Sequence, residues 1–133
     1  MKSIKFAPIK DRCGDIIEFL MSSEDMPQDE NLLFKIRLCC EEAVQNVVDY
    51  AYTDGLGSLE AGTSLQDGVL KIFLKDEGTP FNPLLKADPD ITASLEDRAI
   101  GGLGIFLCKQ MMDKVEYSFE EGHNILIMSI KIK

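Results

Sequence analysis

The apolar residues of segment 29–52 recur at every third or fourth position, which places them on one face of a helix. This stripe consists of Leu33, Ile36, Cys40, Ala43 and Val47. Residues 11–21 and 103–112 carry shorter patterns that fit the same period. The sequence therefore predicts three helices, of which the helix over residues 29–52 is the longest.

Several other segments have the character of strands, and in some of them apolar and polar residues alternate strictly. Strands are predicted over residues 3–9, 59–65, 70–74, 114–120 and 124–131. Gln66-Asp67-Gly68 and Glu121-Gly122-His123 are hairpin signals, and Pro8 marks the first strand as an edge strand. The order of elements predicts an α+β fold, a two-layer α/β sandwich with a mainly antiparallel sheet and helices on one face. We expect residues 1–133 to form one domain.

Composition narrows the classes of function. Hydrophobic residues make up 45% of the 133 residues, enough for one packed core. The net charge of −9 opposes binding to a phosphate backbone, so direct nucleic-acid binding is not expected, and a bound nucleotide needs Mg²⁺ or local donors. The four cysteines have neither metal-ligand spacing nor a disulfide pattern. No apolar run reaches the roughly 18 residues of a membrane span, and we expect a soluble cytoplasmic protein.

Glu42 and Asn46 are four residues apart and therefore share one face of the predicted helix 29–52. That face lies roughly 100° around the helix from the apolar stripe, where the wall of a pocket is expected. Glu41 is expected on the solvated side, paired with Arg37. An Asn carbonyl oxygen suits Mg²⁺, and a Glu orders water or acts as a base. The alternative is a half-exposed polar flank without a ligand.

The sequence Asp76-Glu77-Gly78-Thr79-Pro80 directly follows an apolar strand. A carboxylate at a strand end can accept a hydrogen bond from an exocyclic amine such as adenine N6. A glycine two residues later lets a flat ligand approach the backbone. The alternative interpretation is an ordinary Asp-x-Gly turn.

Gly101-Gly102-Leu103-Gly104 precedes the third predicted helix. Backbone N–H groups exposed at a helix N-terminus form an anion site, although the glycines would also fit a flexible helix start. No Gly-Lys-Ser/Thr follows and no parallel βαβ unit surrounds the segment, so it is neither a Walker loop nor a Rossmann fingerprint. The preceding stretch, residues 77–102, is long and without firm structure, which is typical of a functional lid or of disorder.

Together, these three motifs resemble the GHKL ATPase superfamily (Bergerat fold), in its compact anti-sigma-factor serine kinase branch. Residues 42–46 resemble the N box of that family, residues 76–81 its DxG box and residues 98–105 its second glycine box. Residues 112–117 also fit the branch. The resemblance runs from about Leu33 to the C-terminus and implies a histidine-kinase-like ATP-binding domain.

The resemblance implies a role for each matching residue. Asn46 would hold the Mg²⁺ that bridges the phosphates of ATP. Asp76 would accept a hydrogen bond from the adenine amine, and Gly78 would give space to the base. Phosphate contacts are implied for Arg98, Gly101, Gly102, Leu103 and Gly104. Residues 79–100 would form the ATP lid, and Glu42 would be the catalytic base that takes a proton from a partner's serine.

Three hypotheses on function follow. The first is a serine/threonine protein kinase that phosphorylates a STAS-type antagonist, binds a sigma factor and regulates transcription by partner switching. The second is a non-catalytic switch in which bound ATP alters affinity for a partner. The third is a scaffold that has lost nucleotide binding, against which the three intact motifs argue. Tyr50 replaces a histidine found in many relatives, which leaves the regulatory system open, and a homodimer is compatible with the branch.

Overall fold

A computed structural model describes residues 2–52, 57–80, 82, 84 and 102–133 of the chain. Its helices and strands are β1 Lys2–Phe6, α1 Cys13–Met21, α2 Glu30–Tyr50, β2 Leu59–Gln66, β3 Val69–Asp76, α3 Gly102–Met111, β4 Lys114–Glu120 and β5 His123–Lys131. The predicted α+β sandwich is confirmed, because the helices pack on one side of an antiparallel sheet. None of the described helices is long and apolar enough to cross a membrane.

The described strands form one five-stranded sheet in the order β1-β2-β3-β5-β4, and every neighbouring pair is antiparallel. The strands β3 and β5 lie next to each other inside the sheet, and their register sets Asp76 opposite Asn124. This register joins two polar residues that are far apart in sequence.

Both hairpin turns have two central residues with positive φ, the backbone geometry of a type I′ turn. Asp67 has φ 55° and Gly68 φ 79°, while Glu121 has φ 52° and Gly122 φ 81°. A two-residue turn leaves no place for a third residue. The prediction that His123 lies in the turn is therefore wrong, and His123 is instead the first residue of β5.

The core fills the space between the sheet and the helices. Ile36, Cys40 and Ala43 of the predicted stripe are fully buried, whereas Leu33 and Val47 are half-buried. Cys39 and Val44 are fully buried instead, because α2 packs against α1 and α3 as well as against the sheet. Because α2 has neighbours on three sides, the buried part of its surface is wider than the single apolar stripe predicted from the sequence.

Three element boundaries differ from the prediction for local reasons. The helix α1 begins at Cys13 and not at Asp11, because Asp11 has φ 61°, which is incompatible with a right-handed helix. The strand β1 ends at Phe6, which pairs with the first residue of β2, Leu59. The helix α2 begins after Asp29, whose carboxylate accepts hydrogen bonds from two N–H groups of the first turn.

Candidate nucleotide-binding site

A cavity lies between α2 and the sheet at the end of β3. Its lining is mostly apolar and comprises Ala43, Asn46, Val47, Ala51, Leu74, Asp76, Tyr117, Asn124 and Leu126. The free volume is about 30 Å³, which is room for one or two water molecules, so a nucleobase has to widen the cavity on entry. Two residues predicted for the site, Asn46 and Asp76, meet at this cavity although they come from different layers.

Asp76 is a buried carboxylate, with 5% of its surface exposed. Its Oδ1 accepts hydrogen bonds from the Gly78 N–H at 2.8 Å and from Asn124 Nδ2 at 2.9 Å. Within the described part of the chain, no hydrogen bond reaches its other oxygen, Oδ2. A buried carboxylate oxygen without a donor is costly, so Oδ2 is an acceptor that a donor from a ligand or from water would satisfy.

The surroundings of Asp76 have opposite effects on its pKa. Burial raises the pKa of Asp76, while the hydrogen bonds from Asn124 and Gly78 and the charge of His123 counteract that rise. His123 also lies 3.2 Å from the Glu77 carboxylate, measured from its Nε2 to Oε1. Strand alternation places the only histidine of the chain with Lys75 and Glu77 on the sheet face opposite the cavity, and it acts on Asp76 through its charge.

Gly78 lies against the C-terminal end of α2. A Cβ at Gly78 would stand 2.2 Å from the carbonyl oxygen of Ala51, and the neighbouring Thr79 N–H donates to that same oxygen at 2.9 Å. The side chain of Tyr52 ties the same region together, since its hydroxyl accepts from Glu77 N–H and donates to the Ser58 carbonyl, each at 2.8 Å. The absence of a side chain at Gly78 thus allows the end of α2 to pack against the loop that follows β3. This holds whether or not the glycine also gives space to a ligand.

Replacing Gly78 by alanine is expected to lower the free energy of unfolding by about 1–3 kcal/mol, because the added Cβ meets backbone that must shift. Thermal or urea unfolding measures this loss. Gly14→Ala is the matched control, since a Cβ at that helical position meets nothing within 4 Å and should leave stability unchanged or raise it. Equal stability of Gly78→Ala and wild type would show that the contact with Ala51 does not require glycine.

Glu42 and Asn46 open onto different spaces despite sharing a face of α2. Asn46 lines the cavity beside Asp76, whereas Glu42 lines a larger groove between α1 and α2. Glu41 and Arg37 line that groove too and are joined by an ion pair of 3.0 Å, as the sequence predicts. The predicted separation of Glu41 from Glu42 is therefore wrong in part, because a groove between two helices is wide enough to take both.

The negative charge of Glu42 also acts on the third helix. The hydrogen bond with Cys39, burial and the negative charge of Glu42 together raise the pKa of the Cys108 thiol on α3. Cys108 in turn donates to the Cys39 carbonyl at 3.7 Å, which holds α3 against α2. The carboxylate of Glu42 is therefore within electrostatic reach of the helix whose first turn contains the predicted phosphate-binding glycines.

The predicted glycine segment is described in part. Gly102, Leu103 and Gly104 form the first turn of α3, which agrees with a helix N-terminus at this place. Arg98 and Gly101 lie outside the described residues, as does most of the predicted lid 79–100. Among the described residues there is no cluster of three or more His, Cys, Asp or Glu side chains that would hold a metal ion.

Sequence reasoning missed Tyr117 and Asn124. The Asn124 amide donates to Asp76 and to the Thr79 carbonyl, and its oxygen accepts a hydrogen bond from the Tyr117 hydroxyl. Asn124 belongs to no motif in the sequence, and Tyr117 ends the segment 112–117 that fits the branch but was assigned no role. The one available signal was a polar residue on the buried face of a strand otherwise occupied by Leu126, Met128 and Ile130.

The sheet with its helical cover is the fold of the ATPase domains of sensor histidine kinases. The catalytic domain of histidine kinase ThkA superposes with a TM-score of 0.61 at 15% sequence identity, covering 98% of this chain and 96% of that one. A structure of the RsbU and RsbW domains of Rv1364c from Mycobacterium tuberculosis gives a TM-score of 0.55 at 13% identity, covering 98% of this chain and 32% of that one. At these identities the likeness shows the fold.

The chain belongs to the family of histidine kinase-like ATPase domains, whose model matches residues 13–130. Serine/threonine-protein kinase BtrW of Bordetella bronchiseptica is 29% identical over 99 residues, which are 74% of this chain and 70% of BtrW. Serine-protein kinase RsbW of Bacillus thuringiensis is 29% identical over 96 residues, which are 69% of this chain and 60% of RsbW. The similarity to named serine-protein kinases agrees with the anti-sigma-factor kinase branch of the GHKL superfamily.

Proposed function

We propose that this chain binds Mg-ATP at the cavity beside Asp76 and transfers the terminal phosphate to a serine or threonine of a STAS-type antagonist protein. The observation that carries the proposal is the position of Asp76, which is buried and lines a mostly apolar cavity. Its Oδ2 receives no hydrogen bond from the described residues. An adenine ring has flat apolar faces, which would pack against the apolar lining of this cavity. Its one exocyclic amine would donate a hydrogen bond to Asp76 Oδ2.

The phosphates would extend from the cavity toward the first turn of α3. Gly102, Leu103 and Gly104 would present backbone N–H groups there, where the helix dipole favours negative charge. Gly101 and Arg98 are proposed as further phosphate contacts, and residues 79–100 as the lid that closes over them. These donors would offset the repulsion between the nucleotide and a chain of net charge −9.

Mg²⁺ fits the residues present if phosphate oxygens and water supply most of its ligands. Asn46 provides one amide oxygen at the cavity, and the described residues form no acidic cage around it. This suits Mg²⁺, which commonly keeps several waters and binds through one or two protein oxygens plus phosphates. The ion would supply charge neutralisation of the phosphates, while Asn46 would fix their position.

Glu42 is proposed as the catalytic base. Its place in the open groove between α1 and α2 leaves it accessible to a partner's side chain, and its charge reaches α3. It would take the proton of the attacking serine hydroxyl as the oxygen–phosphorus bond forms. Phosphoryl transfer needs little covalent help from the protein, so positioning and charge neutralisation would supply the remaining rate enhancement.

The names of the relatives support transfer of phosphate to a protein. One relative is named a serine/threonine-protein kinase and another a serine-protein kinase, and the structure from Mycobacterium tuberculosis contains an RsbU domain and an RsbW domain. We extend this to a cytoplasmic partner-switching system in which the chain also binds a sigma factor, with a homodimer as the proposed assembly. Because the matched segment spans 60% of RsbW, the activity of the whole relative is part of the proposal.

A non-catalytic ATP-dependent switch is the second candidate. It is favoured by one observation, namely that Glu42 and Asn46 open onto separate spaces, so that the base does not line the cavity with the nucleotide contacts. In that case ATP would change partner affinity through the lid, and no phosphate would move.

Capture of partners from native lysate, with the chain as bait, distinguishes the two. We expect a small protein to be retained with Mg-ATP and to become phosphorylated on serine or threonine, which phosphopeptide mass spectrometry detects. The Asp76→Asn variant serves as the matched bait, and it should retain no ATP-dependent partner. A partner that responds to Mg-ATP but never gains phosphate would contradict the kinase and support the switch.

A further inference from the structure

Asn124 connects three parts of the site through one side-chain amide. Its Nδ2 donates to Asp76 Oδ1 at 2.9 Å, to the Thr79 carbonyl at 3.0 Å and more weakly to the Gly78 carbonyl at 3.4 Å. Its Oδ1 accepts from the hydroxyl of Tyr117 on the neighbouring strand. The side chain is 6% exposed, so water competes little for these bonds.

The surrounding groups determine how the amide is turned. Asp76 Oδ1 and the carbonyls of Gly78 and Thr79 are all acceptors, whereas the Tyr117 hydroxyl is the donor on the other side. The reversed amide would place its oxygen against three acceptors, which costs hydrogen bonds in a buried place. The hydroxyl of Tyr117 therefore fixes Asn124, and Asn124 fixes Asp76.

We propose that Tyr117 and Asn124 are positioning residues that hold the Asp76 carboxylate with Oδ2 directed at the nucleobase, and that they thereby set the preference for adenine over guanine. The proposal rests on the proposed function, because it assumes that Asp76 meets the base. It assigns a purpose to the buried Asn124 and the half-buried Tyr117, which the phosphotransfer proposal leaves unused.

The chemistry of the two bases explains the expected preference. Adenine carries an amine donor at C6, whereas guanine carries a carbonyl acceptor at the same position. An ionised carboxylate only accepts hydrogen bonds, so it attracts the adenine amine and repels the guanine oxygen. A protonated carboxyl could donate to guanine and would lose this discrimination. The donor of Asn124 favours the ionised form, since its hydrogen bond lowers the pKa that burial has raised.

Other groups near Asp76 titrate or carry charge and must be separated from it. Among the residues that the structure describes, they are His123 on β5, Tyr117 on β4 and Glu77, the next residue in the chain, while α2 presents the neutral Asn46. His123 is the one of these whose ordinary pKa lies near neutral pH. A His123→Asn background therefore removes its titration from the measurement.

The test is calorimetry of Mg-ATP and Mg-GTP binding to the His123→Asn chain between about pH 4, near the ordinary carboxyl pKa, and about pH 8.5. Each titration is repeated with Tyr117→Phe and with Asn124→Leu. Tyr117→Phe should weaken ATP binding about 3- to 10-fold and leave GTP binding unchanged or stronger, so that the ATP/GTP preference falls. ATP affinity should be lost as pH falls through the pKa of Asp76, and in both variants that loss should begin at a higher pH. Ser118→Ala, on the opposite face of β4, should change neither quantity.

The outcomes distinguish failure of the positioning role from failure of the proposed function. Tight Mg-ATP binding by the parent chain with an unchanged ATP/GTP preference and pH profile in Tyr117→Phe would overturn the positioning role and leave the proposed function intact. No Mg-ATP binding by the parent chain would overturn both. If Asn124→Leu melts early, Tyr117→Phe decides alone, since it keeps the ring and removes only the hydroxyl.

Discussion

Replacement of Glu42 by glutamine is expected to slow phosphate transfer by about 100- to 10,000-fold while leaving Mg-ATP affinity nearly unchanged. Glutamine keeps the size of the side chain but cannot accept the serine proton. The proposed nucleotide contacts lie elsewhere, since Asn46 and Asp76 line the neighbouring cavity and Glu42 does not. Single-turnover transfer from labelled ATP to the captured partner measures the rate, and calorimetry measures the affinity.

Glu41→Gln is the matched control for Glu42→Gln. Glu41 is the adjacent carboxylate, lines the same groove and pairs with Arg37. If the charge of the groove alone were responsible, both variants would slow transfer equally. Only Glu42→Gln should do so if Glu42 is the base, and transfer at the wild-type rate by that variant would refute the assignment.

The elements of the fold could be predicted because each depends on local pattern. The period of α2 and the hairpin signals at Asp67 and at Glu121 concern residues close in sequence, and the structure contains each of these elements. Some element boundaries differ for local reasons, as at Asp11, whereas the errors in the predicted buried face of α2 arise from tertiary contacts. The stripe of α2 missed Cys39 and Val44, which are fully buried in a helix that packs against α1 and α3 as well as against the sheet.

The motifs of the candidate site could be predicted from the sequence, but the hydrogen bonds between its distant residues could not. Asp76 and Gly78 are two residues apart, so a strand followed by a turn is enough to indicate them. Asn124 follows Asp76 by 48 residues, and only the register of β3 with β5 brings the two side chains together. A pattern along one chain does not contain that register, which depends on both hairpins and on the shared core.

Gly78 shows how one residue can fit two explanations. In the sequence, a glycine after an aspartate suggests room for a flat ligand. In the structure, the same glycine lies against the Ala51 carbonyl, and a side chain there would collide with α2. Since this contact involves the end of α2 and the start of the loop after β3, it depends on the packing of the two layers.

Replacement of Asp76 by asparagine is expected to weaken ATP binding by about 10- to 100-fold, the loss of a hydrogen bond to a charged acceptor. The asparagine oxygen can keep the bonds from Gly78 and Asn124, but its amide group would replace Oδ2 and meet the adenine amine donor to donor. Calorimetric titration with Mg-ATP measures the change. Glu77→Gln is the matched control, because this adjacent carboxylate is about half exposed and is absent from the cavity lining.

The same substitution should not destabilise the empty protein. Folding raises the pKa of Asp76, chiefly by burial. Ionisation of Asp76 therefore lowers the stability of the folded wild-type protein. This cost begins when the pH exceeds the unfolded pKa and is complete above the folded pKa. Asp76→Asn avoids that cost, and its melting temperature should exceed that of wild type near neutral pH. The advantage should shrink as pH falls through the folded pKa, where the wild-type carboxyl becomes neutral. Retained ATP affinity in this variant would refute the site, and a lower melting temperature at neutral pH would assign the loss of binding to a damaged fold.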